Sequence, residues 1–185
     1  MKRLIPILAF LAIVGFISQA EAAQDTCGMS VTVTVTASVS VTDKPLTFGS
    51  VAAGDSDVND APGCTVTNNG EALNTYSLQI TAKPATWSVK EDAGSTVWNE
   101  FRLLGLFTSS SPPGLTDFLE ADDIVETTQT AAGASIYAIT AEDTTAKGYG
   151  CTENAVRKLW FRFDAPSGTD LTEQQWITVT VYTQS

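Results

Sequence analysis

The chain has 185 residues, with 10 Lys and Arg against 21 Asp and Glu, no histidine and three cysteines. A net charge of −11 repels phosphate backbones and anionic lipid, which excludes nucleic acid and membrane surfaces as natural partners. The missing histidine removes the usual general base, the Ser–His and Cys–His nucleophile systems, and imidazole metal ligands.

The chain opens with Met1-Lys2-Arg3, a 14-residue apolar run from Leu4 to Ile17, and Ala20-Glu21-Ala22. A basic start, an apolar run and a small-x-small site form a secretory signal peptide, with cleavage expected after Ala22. The run is shorter than the roughly 20 residues that span a bilayer, so no membrane attachment is expected after cleavage. Losing Lys2, Arg3 and Glu21 takes the net charge from −11 to −12. Residues 23–185 are then 163 residues, a length that suits one domain with its own core. Export implies a secreted or cell-surface location and allows disulfides. Three cysteines leave at least one unpaired. Cys64 with Cys151 is the favoured pair, and Cys27 is then unpaired or intermolecular; the alternative is three reduced, buried thiols.

From Met29 to Val41 the sequence alternates strictly. Met29, Val31, Val33, Val35, Ala37, Val39 and Val41 face one way; Ser30, Thr32, Thr34, Thr36, Ser38 and Ser40 face the other. This predicts a strand with one apolar and one hydroxyl side. At about 3.3 Å per residue it would run roughly 43 Å, beyond ordinary strand length. It therefore bends between two sheets, or part of it reaches outside its own domain.

Further strands are predicted at Leu46–Val51, Cys64–Asn68, Thr75–Ala82, Phe101–Phe107, Ser135–Thr140, Lys158–Asp164 and Trp176–Thr183. Phe101–Phe107 is apolar on both faces and reads as a central strand. Phe118–Val125 is acidic and fits no single element. Turns at Asp43-Lys44-Pro45 and Asn69-Gly70 separate them. No segment holds a helical period. The expected fold is all-β: an antiparallel β-sandwich of Ig-like or jelly-roll-like kind with about eight to ten strands in a single domain.

No Walker loop, dinucleotide-binding glycine pattern or CxxC pair is present, and no pair of carboxylates stands out as a glycosidase centre. The expectation is a non-enzymatic protein without cofactor. Asp55, Asp57 and Asn59 have the D-x-D-x-N spacing of a calcium loop, but Asp60 and Val66 stand where an EF-hand needs Gly and Glu. They form either a looser structural calcium site or a solvated acidic turn. In the strand 158–164, Leu159, Phe161 and Phe163 fit the core, which leaves Trp160 outside with Arg162. In 176–183, Ile177, Val179 and Val181 fit the core and leave Trp176 and Tyr182 outside. If the two strands are neighbours, these four form an exposed aromatic patch suited to a protein partner or to stacking on polysaccharide, unless a loop or helix covers this face.

Val31 to Gly49, VTVTVTASVSVTDKPLTFG, resembles the opening of spore-coat-U-like and other chaperone–usher-type subunits, in which an alternating strand leads into an LxFG step. Cys64 to Ile80, CTVTNNGEALNTYSLQI, resembles the next strands of that pattern and a segment of TasA or camelysin-type matrix-fibre proteins. Ile177 to Val181 is similar to the terminal strand of such subunits. The resemblance implies a self-assembling surface fibre, coat or matrix subunit. Met29–Val41 would then donate a strand to a neighbour's open sheet edge, with Val31, Val33, Val35 and Val39 as the inserted side chains. The competing expectation is a polysaccharide- or protein-binding module that uses the aromatic patch.

Overall fold

A computed structural model describes residues 36–109, 112–139 and 146–184, all within one compact unit. Among the described residues there are nine strands, one 3₁₀ turn at Leu115–Asp117 and no α-helix. The strands are β1 (Val39–Thr42), β2 (Ser56–Val58), β3 (Cys64–Asn68), β4 (Thr75–Ala82), β5 (Ser88–Val89), β6 (Glu100–Thr108), β7 (Thr130–Ala131), β8 (Val156–Asp164) and β9 (Thr178–Gln184). The protein is all-β and has two sheets.

The larger sheet has the order β1-β3-β8-β6-β5. Nine-residue β8 is its spine. It pairs along its length with β6 on one side; on the other it pairs first with β3 and then with β2. The smaller sheet has the order β7-β4-β9. Every pair is antiparallel except the short parallel contact of β5 with β6.

Alternation decides which side chains form the core. Val66, Phe101, Leu103, Phe107, Leu159 and Phe161 from the larger sheet meet Tyr76, Leu78, Ile80, Val179 and Val181 from the smaller one. Phe101, Phe163 and Trp87 form an aromatic cluster at one end, with centroids 5.7 to 6.2 Å apart. Strand β6 is buried at every residue after Glu100, as its doubly apolar sequence predicts.

Several expected strands take other forms. Leu46–Val51 is irregular, with Gly49 at φ +62°, yet Leu46, Phe48 and Val51 still pack on the core. The segment near 135–139 is a turn in which Tyr137 has φ +56°, and only Ala138 bridges to Phe107. Phe118–Val125 is an irregular cover that touches the sheet at Ile124–Leu104. Of the long alternating strand, Val39–Thr42 is built into the domain, in register with β3 from Val39↔Asn68 to Thr42↔Thr65. Residues 29–35 lie outside the described residues, as do the expected signal peptide and Cys27.

Asn68 ties this end of the fold together. Its buried amide donates to the carbonyls of Ala72, Cys151 and Thr152 at 2.9 to 3.0 Å. Its oxygen accepts from the Gly70 N–H and the Asn74 Nδ2. Such a network fixes a turn more firmly than apolar packing alone.

Candidate functional site

The sequence from Ile177 to Thr183 is almost wholly β-branched and carries no charge, so it forms a strand readily. Its pairing with β4 runs from Thr75↔Gln184 to Ala82↔Thr178, with an irregularity near Ala82. Residues of β4 reveal which way each peptide of β9 points. The Tyr76 N–H and C=O bond to Gly148 and Ala132, and the Ile80 N–H bonds to Glu126, all on the side away from β9. In an antiparallel ladder, residues opposite such positions also turn their peptide groups outward. Val179, Val181 and Thr183 therefore aim N–H and C=O at the open edge, while Thr180 and Tyr182 bond to β4. No strand pairs with that edge among the described residues.

The side chains of β9 follow the same alternation. Val179 and Val181 pack on the core. On the opposite face, the Tyr182 hydroxyl donates to Gln79 Oε1 at 2.9 Å, and the Thr180 hydroxyl meets that of Thr81 at 2.9 Å. Neither lysine nor proline, the usual guards of a sheet edge, occurs between Thr178 and Gln184. Strand β1 is an edge of the other sheet and packs beside β9. The Thr36 carbonyl accepts from the Ala72 N–H, three residues before the Thr75↔Gln184 pair.

The expected aromatic patch does not form. Trp160 is 1% exposed, packed with Leu104, Leu106 and Phe118 in a second apolar cluster, and its Nε1 donates to Thr108 Oγ1 at 3.2 Å. The outer face of β8 is covered by the segment around Phe118 rather than left to solvent. Arg162 lies beside it, tied to Asp164 at 2.7 Å. Trp176 and Tyr182 belong to the region of β9, in the other sheet. Trp176 alone of the four stays well exposed, at 60%. Val39 packs on its own core, and Val31, Val33 and Val35 lie outside the described residues.

Of the calcium candidates, Asp57 sits on β2 and Asp55 just before it. Asn59 is buried; its oxygen accepts the Phe161 N–H at 2.7 Å, and its Nδ2 donates to the Asp60 carbonyl at 2.9 Å. No cluster of three metal-binding side chains occurs among the described residues.

The Cys64–Cys151 bridge is also absent, and both thiols are free and buried. Cys64 begins β3, whereas the Cys151 carbonyl is held by Asn68 at the strand's other end. Four residues of strand separate these ends by about 13 Å, against a limit near 7 Å for a disulfide. Burial pushes both thiols above their ordinary pKa, which makes them poor nucleophiles.

Two charged features lie buried in the fold. Arg102 and Asp164 are directly opposite in the β6–β8 register and almost fully buried. Arg102 Nε and Nη2 reach Asp164 Oδ2 at 2.7 and 2.6 Å, Nη2 reaches Glu120 Oε1 at 2.6 Å, and Nη1 donates to the Gly94 carbonyl at 2.9 Å. Burial raises the Asp164 pKa, but hydrogen bonds from Ser56, Arg102 and Arg162 outweigh it and hold the carboxyl below its usual range. A lone Arg in Phe-Arg-Leu-Leu and a lone Asp ending Phe-Arg-Phe-Asp were the available signals. The second feature is Asp123, fully buried beneath Leu104–Gly105. Burial pushes its carboxyl up to about 7, against the hydrogen bonds of backbone amides, that of Leu119 foremost.

Compared with known protein families, with curated proteins and with solved structures, the chain matches none of them.

Proposed function

We propose that this chain is a secreted, non-enzymatic structural subunit of a surface fibre, coat or extracellular matrix, and that its copies join by strand addition. In this reading the two sheets form an antiparallel β-sandwich of the kind found in spore-coat-U-like and TasA-like subunits. Residues Met29–Val35 of one copy lie along the open edge of β9 in the next. The observation that carries the proposal is the row of outward N–H and C=O groups at Val179, Val181 and Thr183, on a strand with no charged or proline guard.

Length supports the match. Seven residues from Met29 to Val35 extend about 23 Å, and so do the seven of β9. Val31–Val35 and Thr178–Val181 both alternate Val with Thr, so the added strand would continue the apolar face of the small sheet with Val31, Val33 and Val35. Partners are then other copies of this chain or a surface protein with a similar strand. The acidic surface argues against nucleic acid and anionic membranes.

Proline at 181 tests the edge. Val181→Pro removes an outward N–H and leaves the β4 ladder intact, whereas Val181→Ala removes the same side chain and keeps that N–H. In sedimentation velocity of residues 23–185, wild type and Val181→Ala should assemble. Val181→Pro and a variant lacking residues 29–35 should stay monomeric and folded by circular dichroism. Assembly of the truncated variant at the wild-type level would refute strand donation.

A further inference from the structure

The irregular segments at 46–53 and 165–177 enclose a cleft of about 620 Å³, within the roughly 300–1,000 Å³ typical of small-molecule sites. Its floor is Trp87, fixed by an Nε1 hydrogen bond to Thr169 Oγ1 at 2.9 Å and stacked on Phe163 with a 21° interplanar angle. Phe48 and Leu46 form one wall, and Trp176 stands at the lip with 60% of its surface exposed. Polar side chains also line the cleft. Ser50, Thr172 and Gln174 are among them and make no side-chain hydrogen bond within the described residues.

The charge of the lining narrows the ligand. Lys and Arg are absent from it, and its single ionisable group is Glu173. On a chain of net charge −11 such a cleft rejects phosphates, carboxylates and sulfated chains. The aromatic and hydroxyl lining suits a neutral ligand with flat apolar faces for indole and hydroxyl edges for Ser, Thr and Gln. A pyranose ring has that form, with C–H groups on its faces and O–H groups around its rim.

We infer that this cleft is a binding site for a neutral glycan, with Trp176 as the stacking platform at its mouth and Trp87 as its rigid floor. The site is distinct from the β9 edge and does not depend on assembly. It differs from the patch expected from sequence, because Trp160 and Arg162 take no part.

Isothermal titration calorimetry with maltohexaose, cellohexaose and N-acetylchitohexaose tests this on the folded domain. At least one should bind with a Kd below about 1 mM. Trp176→Ala should weaken it at least tenfold, about 1.4 kcal/mol, while Trp176→Phe, which keeps an aromatic face, should stay within about threefold. Trp176 is exposed, so the Ala variant should keep its thermal midpoint, which separates lost binding from lost folding. The inference is overturned if none of the three binds below about 10 mM, or if Trp176→Ala binds as well as wild type. It is also overturned if myristate binds in a Trp176-dependent manner and no glycan does, which would make the cleft an apolar-ligand site.

Discussion

Replacing Arg102 with methionine should destabilise the domain by about 3–5 kcal/mol, measured by urea unfolding at pH 7. The guanidinium is 3% exposed and serves Asp164, Glu120 and the Gly94 carbonyl together. Without it the Asp164 carboxylate stays buried with only Arg162 and Ser56 to stabilise it. The cost comes chiefly from that stranded charge rather than from the lost attraction. For this reason a second change should restore much of the loss: Arg102→Met with Asp164→Leu removes both charges from the same cross-strand pair. Lys90→Ala gives the contrast. Its bond to Asp92 is equally short, 2.6 Å, but Asp92 is 80% exposed, and the change should cost far less than Arg102→Met. A loss for Arg102→Met as small as that for Lys90→Ala would show that the buried cluster is not what fastens segments 91–94 and 115–123 to the sheet.

Asp123 should make the domain less stable as the solution becomes neutral. Its carboxyl has a pKa of about 7 in the fold and an ordinary value of 3.8, so the folded state holds a proton that the unfolded chain has lost. Unfolding then takes up no proton at this site but releases one, so stability falls with rising pH between about 4 and 7. The slope approaches 1.4 kcal/mol per pH unit, and the full loss above pH 7 is about 4 kcal/mol. Asp164, Glu120, Asp43 and Asp92 act in the opposite sense, because each has a lowered pKa; their contribution is lost only on acidification below the usual carboxylate range. Between pH 5 and 7 the sign therefore belongs to Asp123. Asp123→Asn cannot titrate, and its stability should be flatter across this window than that of wild type. Equal slopes for the two proteins would mean that Asp123 is ionised in the fold throughout.

The parts of the fold legible in the sequence are those in which one strand's own pattern carries the information. Phe101–Phe107 is apolar on both sides and proves central; Cys64–Asn68 and Thr75–Ala82 alternate and prove to be β3 and β4. The errors arise where a second segment decides the outcome. Trp160 alternates away from the core and reads as exposed, but Phe118 and its neighbours cover that face. Leu46–Val51 pairs with no strand among the described residues and passes through a left-handed glycine. Arg102 and Asp164 are 62 residues apart, and only the β6–β8 register makes them a pair. Cys64 and Cys151 could be matched by loop length alone; the length of β3 holds them apart. The β9 edge was half legible: the alternation gave the strand and its buried face, whereas an unpaired edge is a property of sheet order.

Amide hydrogen exchange at Val179, Val181 and Thr183 tests the strand-addition account most directly. In dilute monomer these three amides should exchange quickly while Thr180 and Tyr182 are protected by β4. In assembled material all five should be slow, with the outward three slowed by at least about 100-fold. Two results would contradict the account: the three amides remaining fast after assembly, or being already protected in the monomer, which would mean that the chain closes its own edge.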